Sequence, residues 1–166
     1  MKQEDKELLL KDLSARLPYN LKGKVYAEVS DGKYDMNGDM IFYDAPFDVI
    51  LDKIDLYEET IHVTAIGNED TVEFIEIQQT DCEPYTIEEF KPYLRPMSTM
   101  TKEEIEEFTK LIFITDSTSY GYLKECLLYS EYSSKAMDWL NSHHFDYRGL
   151  IDQHLALQAP ENMYNK

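Results

Sequence analysis

Glycine is scarce, with six in 166 residues, and that leaves little room for the glycine-rich loops that cradle phosphates. No GxSxG elbow and no HExxH pair occurs, so the common hydrolase and zinc-protease signatures are missing too. The two cysteines, Cys82 and Cys126, form no CxxC pair and have no histidine near them in sequence, which makes two reduced thiols the expectation. No apolar run approaches the ~20 residues of a membrane span. The first residues, MKQEDKELLLKD, carry acids where a signal peptide needs a basic start. These absences point to a reducing cytoplasm, to no membrane partner and to no cofactor.

Basic residues are the other shortage: 16 Lys and Arg face 33 Asp and Glu, for a net charge of −17. The imbalance is local. Residues 21–80 hold fourteen acids against four lysines, a net of −10, whereas residues 1–20 balance at four against four. Such a surface repels nucleic acid and anionic membrane, so direct nucleic-acid binding is not expected.

What is present suffices for a folded domain. Hydrophobic residues make up 43% of the chain and aromatics 13%, including thirteen tyrosines, and at this length roughly 70% of the unfolded surface can be buried. In residues 4–16, Leu9, Leu10, Leu13 and Leu17 recur at helical spacing with acids leading and Arg16 closing, and Pro18 ends the helix. From residue 22 to 77 the period changes to two. Short strands are expected at 25–30, 40–43, 47–54, 60–66 and 72–77, separated by tight turns at Asp31-Gly32 and Asn37-Gly38, by Ala45-Pro46, and by 57–59 and 67–70.

Residues 86–100, TIEEFKPYLRPMSTM, mark the change from strands to helices. Thr86 and Glu89 have capping-box spacing, but Pro92 and Pro96 stop a helix early, leaving a stiff connector with Phe90, Tyr93 and Leu94 free to pin the halves together. A second capping box opens at Thr101, with Ile105, Phe108, Leu111 and Ile112 on one face, and further helices are expected near 120–129 and 133–143. The expected fold is α+β: a small antiparallel sheet or partly open SH3-like barrel, with an N-terminal helix and a C-terminal helical layer covering one side. It divides into the N-terminal helix (1–20), the acidic strand-rich half (21–80), the connector (81–100), the helical half (101–157) and a frayed tail (158–166), forming one domain.

The segments KDLSARLPY, KPYLRPMS, DWLNSHHFDYRGLI and ALQAPENMY resemble an uncharacterised family of small proteins encoded in gut Bacteroidetes genomes, within prophages and other mobile elements. The resemblance implies an origin and no catalytic residue. It also implies that the helical end is the shared framework and that the strand half, which matches poorly, is where members diverge in target.

Four groups of residues invite a functional reading. His143, His144 and Asp146, with Asp152 and His154 nearby, form the one cluster of potential metal ligands, yet adjacent histidines on a helix point ~100° apart and cannot share an ion as an i, i+4 pair does. A helix end is the simpler account, with His143 packed a turn below Trp139, His144 capping carbonyls and Asp146 holding Arg148 or an amide. The segment 31–39, DGKYDMNGD, departs from the EF-hand order at Lys33 and reads as two consecutive turns. The acids Asp39, Asp44, Asp48, Asp52, Asp55, Glu58 and Glu73 could form one face, either as a solvated surface or as a decoy of DNA. A ~30 Å length of duplex presents roughly 18 charges, so the decoy requires nearly all the acid in one continuous stripe. Tyr120, Tyr122, Tyr129, Tyr132 and Trp139 suit a protein interface, where a ring is buried and a polar edge stays wet.

The expected function is accordingly non-catalytic: an intracellular accessory protein that binds an unknown protein partner. A DNA-mimicking inhibitor of a host nuclease or restriction system, and a metal-dependent enzyme using the His143 to Asp146 cluster, are the alternatives.

Overall fold

The computed structural model describes residues 1–66, 84–112 and 134–164. Helix α1 (Gln3–Arg16) has Glu4 and Asp5 in its first turn and Arg16 in its last, as the helix dipole favours, and it buries Leu9 and Leu13 completely. Pro18 tightens the exit into a short 3-10 turn, and Asn20, in the left-handed region at φ 53, redirects the chain into the sheet.

Strands β1 (Lys22–Tyr34), β2 (Met40–Asp55) and β3 (Thr60–Ala65) follow as an antiparallel meander. The short strands β4 (Tyr85–Thr86), β5 (Lys91–Leu94) and β6 (Leu157–Gln158) complete a six-stranded sheet of order β4-β3-β2-β1-β5-β6. All pairings of named strands are antiparallel except β5 with β6. The sheet curls strongly into a half-barrel, and with its helices the protein is α+β. Leu9 and Leu13 of α1 pack with Val25, Val49, Leu51, Ile61, Phe90 and Leu94 of the sheet region to make the main core.

Helices α2 (Lys102–Leu111) and α3 (Ser134–Ser142) keep a core of their own. Phe108, Ala136 and Leu140 close on Met97, Met100 and Phe145. The Thr101 capping box forms as its spacing requires: the Glu104 amide donates to the Thr101 hydroxyl at 3.2 Å and the Thr101 amide to the Glu104 carboxylate at 2.8 Å.

Several expectations are corrected. Ala45-Pro46 does not divide two strands, because β2 runs through it. The Leu51 amide donates to the Leu21 carbonyl, so odd-numbered backbone groups of β2 face β1 and even-numbered ones face β3. Pro46 belongs to the even set and lies past Val49, the partner of the last β3 residue, Ala65, so among the described residues no strand stands opposite its missing N–H. Asp31-Gly32 is not a turn either. It forms an irregularity within β1, with Gly32 at φ 77, and one turn at Asp35–Asp39 closes the hairpin.

The connector is part of the sheet. Gly23 and Lys24 of β1 pair with Pro92 and Lys91 of β5, while Phe90, Tyr93 and Leu94 are buried as the pinning role requires. The tail does not fray before Tyr164: its hydroxyl accepts the Lys22 amide (3.1 Å) and donates to the Tyr93 carbonyl (2.9 Å), and burial raises the phenol's pKa. The expected strand at 72–77, the helix at 120–129 and both cysteines lie outside the described residues.

Candidate protein-binding surface

From Val25 to Tyr34, and from Met40 to Phe47, strands β1 and β2 pair only with each other among the described residues. Nine steps of strand make this ribbon ~30 Å long. Two strands alone are marginally stable in water, so such a ribbon is an unusual place to display apolar side chains. Yet Tyr26 (59%), Ile41 (43%), Phe42 (47%) and Tyr43 (51%) are exposed on it, with Tyr34, Met36 and Met40. Both faces take part, since Tyr26, Phe42 and Met40 lie on one side of the pleat and Ile41 and Tyr43 on the other.

The tip is held by one carboxylate. Asp35 accepts the Asn37 and Asp39 amides at 2.8 and 2.9 Å, and these bonds hold its pKa below the ordinary carboxylate value. This is a turn built on an aspartate, as the reading of the 31–39 segment anticipates for its second half.

The candidate acids do not share one role. Asp44, Asp48 and Asp52 recur every fourth residue on the outer face of β2, roughly 13 Å apart. Asp44 stands directly opposite Glu28 of β1, a like-charge pair, whereas Asp48 faces Lys24 and accepts the Tyr93 hydroxyl at 2.8 Å. Lys24 is held above its usual pKa, first by the Tyr93 hydroxyl beside it and then by the Asp48 carboxylate. Asp52 sits at a bulge opposite β3 and accepts the Thr64 hydroxyl. Asp39 lies at the hairpin turn, and Asp55 at the other end of β2 accepts the Glu58 and Tyr57 amides, which lowers its pKa. Glu58 is exposed in that turn, and Glu73 lies outside the described residues.

Of the aromatic candidates, Tyr120, Tyr122, Tyr129 and Tyr132 lie outside the described residues. Trp139 is half-buried, stacked on His143 (4.0 Å) and Phe145 (5.8 Å) and tilted against Phe108 (5.4 Å).

The metal candidates diverge. His143 stacks on Trp139 and its Nδ1 lies 2.8 Å from the Trp139 carbonyl oxygen. The next residue leaves the helix at φ 58, which swings His144 inward until it is 3% exposed and stacked on Tyr164 at 3.9 Å. Burial, reinforced by the charges of Arg16, His143 and Arg95, lowers its pKa to about 3. Asp146 accepts the amides of Leu150 and Ile151 at 2.8 and 2.9 Å, and His154 is exposed. Among the described residues no group of three or more His, Cys, Asp or Glu is placed to hold an ion.

The segment instead builds a buried polar joint. Asp12 and Arg16, both fully buried on α1, form a bidentate pair at 2.7 and 3.1 Å; Arg16 also donates to the Phe145 carbonyl (2.8 Å), and Arg148 reaches Asp12 at 3.0 Å. The Tyr147 ring lies against both guanidinium groups. Arg95 grips Glu104 at 2.7 and 3.0 Å beneath the Phe145 ring, 4.2 Å from its centroid. Such a cluster joins α1, the strand region and the helical half.

The exposed apolar residues of the ribbon are what sequence reasoning missed. MIFY followed by DAPFD gives apolar side chains at consecutive positions, a pattern that ordinarily means burial on both faces. The signal that something else was happening is the neighbouring acid at Asp39, Asp44 and Asp48, which a doubly buried strand would not tolerate.

Comparison with known proteins finds no matching family model, no matching curated protein and no matching solved structure.

Proposed function

We propose that this chain acts without catalysis, by binding another protein through the β1–β2 ribbon. The observation that carries the reading is the exposure of Tyr26, Ile41, Phe42 and Tyr43 on a two-stranded arm that has no helix or third strand over it among the described residues. Several large apolar side chains exposed together on one short arm, with the Glu28–Asp44 acidic pair among them, suit an interaction site better than they suit a free surface. The acids at Glu28, Asp44 and Asp48 keep the arm in solution and select against nucleic acid and anionic membrane. An accessory role in the cytoplasm, in a protein of mobile-element origin, fits the absence of a CxxC pair from the sequence and the resemblance of both chain ends.

The DNA-decoy reading has less support. Asp39 and Asp55 lie in turns at opposite ends of β2, Asp48 is countered by Lys24, and acids ~13 Å apart fall well short of one charge per ~1.7 Å of duplex. Affinity capture from lysate tests the main reading, comparing the natural chain with the Ile41→Ser, Phe42→Ser, Tyr43→Ser triple variant. A protein held by the first and lost by the second supports it. One held equally by both moves the interface elsewhere, and no captured protein removes the reading.

A further inference from the structure

We infer that the free edge of β1 from Tyr26 to Ser30 is a strand-addition site for an extended, lysine- or arginine-rich segment of a partner protein, an inference that rests on the ribbon being the binding surface. Because Leu51 donates to Leu21, the odd-numbered backbone groups of β1 face β2, and those of Lys22, Lys24, Tyr26, Glu28 and Ser30 face the other way. The fold satisfies the start of this row. The Lys22 amide is taken by the Tyr164 hydroxyl, and Lys24 lies opposite Lys91 of β5. Immediately before Lys91 the chain departs through Phe90 and the 3-10 turn Ile87–Glu89, so the row loses its neighbour at Tyr26. Among the described residues no strand pairs with the outward groups of Tyr26, Glu28 and Ser30.

An unpaired row of amides and carbonyls is a template for another strand. Edges are ordinarily blunted by lysine, proline or a bulge. Between Tyr26 and Ser30 there is no lysine or proline, and the irregularity of β1 comes only after Ser30. The open length is five residues, that of an ordinary strand.

Charge selects the occupant. A residue added opposite Glu28 would have its Cβ roughly 5 Å away, and Asp44 stands on the far side of Glu28 in the same register. A cation there relieves a like-charge pair, and the exposed Tyr26 ring beside it can cover the aliphatic stem. A second copy of the chain is disfavoured, since two-fold pairing about Glu28 sets acid against acid between molecules of charge −17. Nucleic acid is repelled by the same charge.

The test uses the full-length ¹⁵N-labelled chain and two synthetic probes, one alternating Lys and Val and one alternating Glu and Val. In the free chain the amides of Tyr26, Glu28 and Ser30 should exchange freely, while those of Val25 and Ala27, bonded to β2, are protected. The Lys probe should slow exchange at the three outward amides by about tenfold or more, the Glu probe should not, and added salt should weaken the effect. Glu28→Pro removes an outward N–H that β2 does not use and should abolish this protection; Glu28→Gln should keep the protection while weakening affinity.

Outward amides already protected in the free chain, or a Lys probe that leaves them unprotected, would overturn the inference. So would protection that grows with protein concentration alone, which would assign the edge to a second copy. A probe that shifts Tyr26 or Phe42 side-chain resonances without slowing the amides defeats strand addition but leaves the ribbon as a binding surface. A natural partner retained by the triple serine variant defeats the reading beneath both.

Discussion

Asp12 and Arg16 have no exposed surface, so their attraction is set against the cost of removing two charges from water. Removing one partner is the damaging change: Asp12→Asn strands the Arg16 and Arg148 cations and should lower unfolding stability by about 3–5 kcal/mol in urea titrations. The double variant Asp12→Leu, Arg16→Met should recover part of that loss, because it removes the fully buried Arg16 cation and leaves only Arg148, whose side chain keeps some exposure, without its partner. His144 supplies a pH dependence of definite sign. Its folded pKa of about 3 lies below the ordinary value of 6.5, so only the unfolded chain takes up that proton between the two. Stability is therefore full above about pH 6.5 and falls as pH drops toward 3, by on the order of a few kcal/mol. His144→Asn, which tolerates the left-handed backbone, should flatten this slope in urea midpoints measured from pH 7 to pH 4, whatever it does to stability at pH 7. The roles of His143 beside Trp139 and of Asp146 on backbone amides were legible from spacing alone. That of His144 was not, because its inward turn depends on one positive φ and on a tyrosine twenty residues later.

At the scale of elements, local signals were reliable where the chain closes on itself over three or four residues. Both capping boxes formed, and α1 and α2 start and stop within a residue or two of the positions that their leucines, acids and prolines indicate. Thr101→Ala should cost about 0.5–2 kcal/mol, visible as a lower thermal midpoint and faster exchange in the first turn of α2. It should also loosen Glu104, whose pKa is raised by burial but lowered further by Arg95 and the Thr101 amide, ending below the usual value. Signals failed where pairing decides. Pro46 reads as a break until the direction of each β2 amide is known, and Asp31-Gly32 reads as a hairpin until a longer hairpin claims it. Gly23 is the reverse case, unremarkable in sequence and indispensable in the sheet. A Cβ there would strike the Phe90 ring, so Gly23→Ala should destabilise by about 1–3 kcal/mol, measured by chemical denaturation.

For the whole molecule, charge opposes compaction. A net −17, of which −10 falls in residues 21–80, should make the folded state gain stability with added salt, and the thermal midpoint should rise as sodium chloride goes from low to physiological concentration. A midpoint independent of salt would mean that the acids are already paired within the fold. The α+β class and the helix-first order were legible because periodicity changes so sharply near residue 22. The two separate cores were not, since nothing local tells Phe108 to pack on Met100 rather than on the sheet.

The Tyr164 hydroxyl has one further consequence, in the order of events as the chain is made. Lys22 precedes Tyr164 by 142 residues, and Arg16 precedes its Phe145 acceptor by 129. A chain synthesised from its N-terminus must therefore carry a half-enclosed ion pair and an unfinished sheet edge through most of its elongation. Contacts of such long sequence separation slow folding, and they leave the nascent N-terminal half dependent on its own acidity to stay apart from its neighbours.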